Sequence, residues 1–230
     1  MRERVLRVQS VIVILIMILA MVFTGCDSLD PAMSITIDGT EFKLDCKVSD
    51  ILDAGFELAE IDHKNGILKE YPDLEGRTLL QSSIYLFKDG KPSHVAIYVY
   101  NKANNTVKFE DCSVYRFKYD CGDYAGNANE TGYLDVKFKG IDLHFTDRAS
   151  VISDLEGLGF KFKDSDKADF LKNNDAYSTS LISATGMFGH HLTVFNDYDY
   201  NTGNRYVNAL EFENKVEYDT SGAWSEPARG

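Results

Sequence analysis

An α+β fold of two tandem units, each an antiparallel sheet with a short helix packed on one face, is what this sequence predicts. Three observations lead there. Two stretches about a hundred residues apart match in order and in residue type. Each opens with apolar and polar residues alternating around a glycine, the period of half-buried strands joined by a tight hairpin. Each then passes through a short helical pattern that ends in a Gly-Phe pair.

In the first unit Ile35, Ile37, Phe42 and Leu44 face inward around a turn at Asp38-Gly39; in the second Val136, Phe138, Leu143 and Phe145 do so around Lys139-Gly140. Val48, Ile51 and Leu52 then fall at helical spacing, as do Val151, Leu155 and Leu158. Asp45 or Ser49 is the expected N-cap of the first helix, and Thr146 or Asp147 of the second. Aligning both the hairpin glycines and the Gly-Phe pairs requires four extra residues in the second unit. Four residues are about one helical turn, so the insertion lengthens the helix without rotating its buried side. Gly55 and Gly159 stand where a helix ends in a left-handed residue, with Phe56 and Phe160 folding back onto the core.

After a variable segment in each unit come strong strands. They cover 83–87, 95–100 and 114–119 in the first unit, with a turn at Asp89-Gly90, and 180–184, 192–195 and 206–212 in the second. Val99-Tyr100-Asn101 and Val194-Phe195-Asn196 end corresponding strands. The organisation is therefore unit 1 at 34–121, a Gly- and Asn-rich linker at 122–132, unit 2 at 133–218 and a flexible tail at 219–230. Two such units predict two sheets side by side, each with one face left uncovered.

Before them stands an address. Arg2, Arg4 and Arg7 precede an uncharged, mostly apolar run at 11–23. A spanning helix needs roughly 20 apolar residues, and this run of about 13 has the length of a signal-peptide core. Thr24-Gly25-Cys26-Asp27 resembles the bacterial lipobox, with Phe23 in place of the usual Leu. The resemblance implies removal of residues 1–25, lipid attachment at Cys26 and a short tether at 26–33. The expectation is a cell-envelope lipoprotein, held on the extracytoplasmic side of the cell membrane by palmitate-type acyl chains, each buried methylene contributing about 0.8 kcal/mol.

The chain carries a net charge of −12, which argues against nucleic acid or an anionic lipid surface as partner. With Cys26 consumed by lipid, Cys46, Cys112 and Cys121 remain. Three thiols allow at most one internal disulfide. Cys112 and Cys121 flank a strand and could close a short loop, and three free thiols are an equal alternative.

No Gly-x-Ser-x-Gly, His-Glu-x-x-His, Cys-x-x-Cys or phosphate-loop motif occurs. His190-His191 is no chelate, because neighbours on a strand point to opposite faces. Asp197, Asp199 and Asn201 have the alternate spacing that begins a calcium loop. The glycine, Gly203, comes one position late and Asn208 holds the place of the closing Glu, so a polar hairpin connection is the first reading. Tyr98, Tyr100, Tyr198, Tyr200 and Tyr206 are candidates for a binding face, since tyrosine suits surfaces that bind while staying soluble. Packing beneath the helix is the competing role, for Tyr115 and Tyr119 above all.

The layout resembles a group of small tandem-repeat surface lipoproteins of Gram-positive, clostridial type. More distantly it is similar to the repeats of the beta-lactamase inhibitor proteins and to single-unit outer-membrane assembly lipoproteins. The shared motif is the hairpin glycine followed by Asp-x-x-x-x-Gly-Phe, at Asp50 to Phe56 and Asp154 to Phe160. It implies a scaffold and assigns no functional residue. The functional expectation is a non-enzymatic binding or interaction module without a cofactor, its partner an envelope protein or an extracellular ligand. An envelope hydrolase with a carboxylate pair and a structural spacer are the alternatives.

Overall fold

Asp38 and Gly39 both take positive φ, 49° and 77°, the two-residue turn whose twist matches its flanking strands. It joins β1 (Ser34–Ile37) to β2 (Thr40–Lys43) and buries Ile35, Ile37 and Phe42. These are the first elements of a computed structural model that describes residues 33–60, 66–80, 82–120, 132–143, 146–172, 180–185, 191–198 and 205–214. Cys26 and the apolar run at 11–23, Cys121, linker residues 122–131, Phe145 and the tail lie outside them. Among the described residues no helix is long and apolar enough to cross a membrane.

Helix α1 (Val48–Asp53) follows, burying Val48 and Ile51. Neither Asp45 nor Ser49 caps it. Lys47 holds the N-cap position, and its backbone N–H donates to the Asp50 carboxylate at 2.8 Å. Asp45 sits earlier, in a left-handed turn (φ 70°), where its carboxylate pairs with Lys102 at 2.8 Å. The helix stops as expected: Gly55 has φ 84°, its N–H bonds to Leu52 O, and Phe56 N–H bonds to Ile51 O. A side chain at that left-handed position would be strained, which is why glycine stands there.

The chain continues through β3 (Glu57–Ala59), β4 (Ile84–Lys88), β5 (Lys91–Tyr100), β6 (Ser113–Asp120), β7 (Val136–Phe138) and β8 (Ile141–Asp142). Helix α2 (Arg148–Gly157) is capped by Asp147, whose carboxylate accepts the Ser150 N–H at 3.0 Å. At 10 residues against 6 for α1, it has the extra turn that the alignment required. It ends like α1, with Gly159 at φ 94° and Phe160 N–H on Leu155 O. Helix α3 (Asp164–Lys172) was not expected. It buries Phe170 alone, so its sequence carries no apolar stripe. Its closing carbonyls are held from outside: the Arg148 guanidinium donates to Phe170 O at 2.8 Å and to Leu171 O at 2.7 Å. Strands β9 (Ser180–Thr185), β10 (His191–Tyr198) and β11 (Arg205–Glu213) complete the described chain.

Among the described residues all strand pairs are antiparallel, in a four-stranded sheet ordered β2-β1-β7-β8 and a seven-stranded sheet ordered β3-β4-β5-β6-β11-β10-β9. With three short α-helices among the described residues, the protein is α+β and mostly β. The expectation of one sheet for each unit is corrected here, because both sheets take strands from both halves. The joins are β1 to β7, where Thr36 faces Lys137, and β6 to β11, where Phe117 faces Phe212. A separate sheet in each half would leave the N–H and C=O rows of these strands bare. Joining them satisfies those groups, and the described strands belong to one compact unit.

The core lies between the two sheets and under α1 and α2. Phe212 stacks on Phe117 across the join, with centroids 5.4 Å apart at 22°, and Phe138 of the smaller sheet meets Phe212 at 4.9 Å. Phe138 also reaches Phe160 at 5.9 Å. All four rings are buried. Phe212→Ala should therefore lower unfolding free energy by about 3–5 kcal/mol in urea titration. A loss under about 0.5 kcal/mol, the size of an ordinary surface change, would contradict this account of the core.

Candidate functional site

Strand alternation gives the seven-stranded sheet two unlike faces. Val95, Ile97, Val99, Phe117, Leu192, Val194, Leu210 and Phe212 point into the core. The opposite face, on which none of the three helices supplies the core layer, carries Tyr98, Arg116, Lys118, Thr193, Phe195, Glu211 and Glu213, all half-buried. A register shift after Tyr98, where β5 pairs with β6, makes room for Tyr115 as an extra residue.

Arg116 is the centre of this face. Its guanidinium lies over the Tyr98 ring at 4.7 Å and the Tyr115 ring at 5.6 Å. It pairs with Glu213 at 2.5 Å and Glu211 at 3.4 Å. Because β6 and β11 are the joining strands, the cation comes from one half and both carboxylates from the other. Burial works to lower the Arg116 pKa, but Glu211 and Glu213 outweigh it and hold the group above its ordinary value. Both carboxylates are engaged by one guanidinium, so they do not form a free acid and base pair. Ser83 and Tyr98 hydroxyls bond at 2.9 Å, and Lys118 pairs with Asp120 at 2.7 Å. The arrangement holds two aromatic rings beneath a cation that is paired with two carboxylates.

Of the tyrosines expected on a binding face, Tyr98 is half-buried on the face opposite the core. Tyr100 is not: it is 3 % exposed, and its hydroxyl has no hydrogen-bond partner among the described residues. Segment 78–80 pairs through its backbone with the end of β5, with Asn101 N–H on Thr78 O, Leu80 N–H on Val99 O and a bridge from Leu79 to Tyr100. Tyr115 and Tyr119 are buried. Tyr198 and Tyr206 contribute backbone to β10 and β11, their side chains lying outside the described residues, and Tyr200 lies outside them altogether. Asp197 is paired with Tyr206 inside the ladder; its side chain, Asp199, Asn201 and His190 also lie outside. Among the described residues no group of three His, Cys, Asp or Glu is placed to hold a metal ion. Arg116 was not singled out from sequence. Its signal was a lone arginine between tyrosines on β6, and its meaning depends on the pairing partner.

The Asn residues that close corresponding strands are buried, Asn101 at 1 % and Asn196 at 0 % exposure. Asn101 shows why. Its side-chain amide donates to Leu74 O at 2.8 Å and to Glu75 O and Asn105 O at 2.9 Å, while its oxygen accepts the Ala103 N–H. One side chain thus ties two loops together beside Tyr100.

Cys46 and Cys112 are free thiols on either side of the Lys47–Ser113 bridge. Cys121, the expected loop-closing partner of Cys112, lies outside the described residues. Burial, with Asp50 and Asp45 adding to it, pushes the Cys46 thiol up to about 12; burial, Asp111 and Asp73 push Cys112 up to about 11. A raised thiol pKa leaves less thiolate. At pH 8 in the native protein Cys46 should alkylate about a thousandfold, and Cys112 about a hundredfold, more slowly than an ordinary thiol. Mass spectrometry after timed iodoacetamide labelling checks this, with full reactivity expected in denaturant.

Comparison of the chain with known protein families, with curated proteins and with solved structures finds no match.

Proposed function

We propose that this chain is a lipid-anchored extracytoplasmic protein, a tandem duplication that acts as a non-enzymatic binding module through the open face of its seven-stranded sheet. The observation that carries the reading is the Arg116 cluster. A guanidinium over two tyrosine rings, locked by two carboxylates from the other half, is pre-ordered before any partner arrives. Ordering recognition side chains in advance removes entropy that binding would otherwise have to supply. Duplication is supported by the mirrored strand orders, β4-β5-β6 against β11-β10-β9 and β2-β1 against β7-β8, and by the matching helix ends. The anchor rests on Cys26 and the segment before it. The partner is another envelope protein or an extracellular ligand.

Two measurements test the reading separately. Labelled palmitate should enter the chain in cells, and Cys26→Ala should abolish labelling and move the protein out of the membrane fraction; labelling that survives the substitution refutes the anchor. Partner capture from intact envelopes by the wild-type chain should fall at least about tenfold with Tyr98→Ala plus Arg116→Ala, the range of an interface hot spot. Capture indifferent to both substitutions, in a variant that still unfolds cooperatively, refutes the role of the open face.

A further inference from the structure

We infer that β9 is a pairing edge to which a second copy of this chain adds in antiparallel register, extending the seven-stranded sheet across a two-fold axis. The inference rests on neither the lipid anchor nor the open face. Its starting point is that a strand at a sheet edge presents unpaired N–H and C=O groups, which proteins guard by covering, shortening or charging the edge.

The other described edges are guarded. Outside β3, residues 66–68 return along the strand: Glu60 N–H bonds to Gly66 O, Leu68 N–H to Leu58 O, and Ala59 bridges Ile67. Strand β2 has exposed Glu41 and Lys43, and β8 is two residues long. Strand β9 is neither shortened nor charged, and although helix α3 lies against it, no second strand or returning segment pairs with its outer edge among the described residues. Its six residues, Ser-Leu-Ile-Ser-Ala-Thr, hold no charge and no proline, and β10 is its single partner strand among the described residues. Leu181 is 58 % exposed, the one large apolar side chain so placed among those described. It stands in register with half-buried Phe195.

The occupant is a second copy because the strand complements itself. Antiparallel pairing of a strand with its own copy is necessarily two-fold. Leu181 and Ser183 share the open face, while Ile182 and Ala184 are buried. Core must meet core, so the axis passes through Ile182 or Ser183 and not between them. A neutral edge also lets two chains of net charge −12 meet without like charges in the contact. The molecule already joins its halves in this way, through antiparallel β1–β7 and β6–β11.

The test uses the full chain in detergent. Sedimentation velocity should show a monomer becoming a dimer as concentration rises, and amide exchange in β9 should slow with it. Leu181→Lys should raise the dimer dissociation constant at least about tenfold without changing thermal unfolding at concentrations where both chains are monomeric, since the side chain is exposed. Tyr98→Ala, on the face but away from the edge, should leave the dimer intact. A monomer at every concentration, β9 exchange that is slow regardless of concentration, or a dimer broken by Tyr98→Ala but not by Leu181→Lys would each overturn the proposal.

Discussion

The contact on which this architecture depends is the aromatic column Phe117–Phe212–Phe138. Phe117 and Phe212 come from the two strands that join the halves of the larger sheet, and Phe138 comes from the strand that joins those of the smaller one. Hydrogen-bond ladders alone would allow the joined strands to slip. A register error of one residue turns every side chain to the wrong face, and it would carry Phe117 and Phe212 out of the core. Burial of these rings therefore fixes the register at the join and, through it, places Arg116 opposite Glu213 and diagonal to Glu211 on the far side of the same strands.

The open face thus depends on the core face at a distance of one peptide pleat. Arg116 and Phe117 are chain neighbours pointing opposite ways, as are Glu211 and Phe212. An ion pair at a half-exposed position stabilises little by itself. Its constancy here comes from strands whose relative position is set by apolar packing on the other side, and from the two tyrosine rings beneath the guanidinium. The halves differ where that column makes no demand: α2 is a turn longer than α1, and α3 occupies the second half where the first has β3.

Much of the fold was legible because it is written in local patterns. The turns at Asp38-Gly39 and Lys139-Gly140, the Gly-Phe helix ends and the four-residue lengthening of the second helix all follow from spacing and backbone chemistry within about 20 residues. The first N-cap was misread because a left-handed turn at Asp45 took the expected acid into an ion pair with Lys102, a residue distant in sequence. Helix α3 was missed because Phe170 is its one core residue, and the carbonyls at its end are held by Arg148 instead of by a local cap. Of the tyrosines named from the sequence, Tyr98 lies half-buried on the face opposite the core, while Tyr100, beside a backbone bridge to Leu79, is buried.

What the sequence determined by itself is therefore the local grammar: two similar openings, hairpins with their inward residues, helix limits, and an acidic chain that opens on a basic and then an apolar run. What only the tertiary structure decided is which strand lies beside which. Alternation says that a strand has a buried side, but it is blind to the edge, because backbone N–H and C=O groups are the same in every residue but proline. For that reason two repeats read as two sheets became two sheets shared between both halves, and a lone arginine on β6 became the centre of a face built from each.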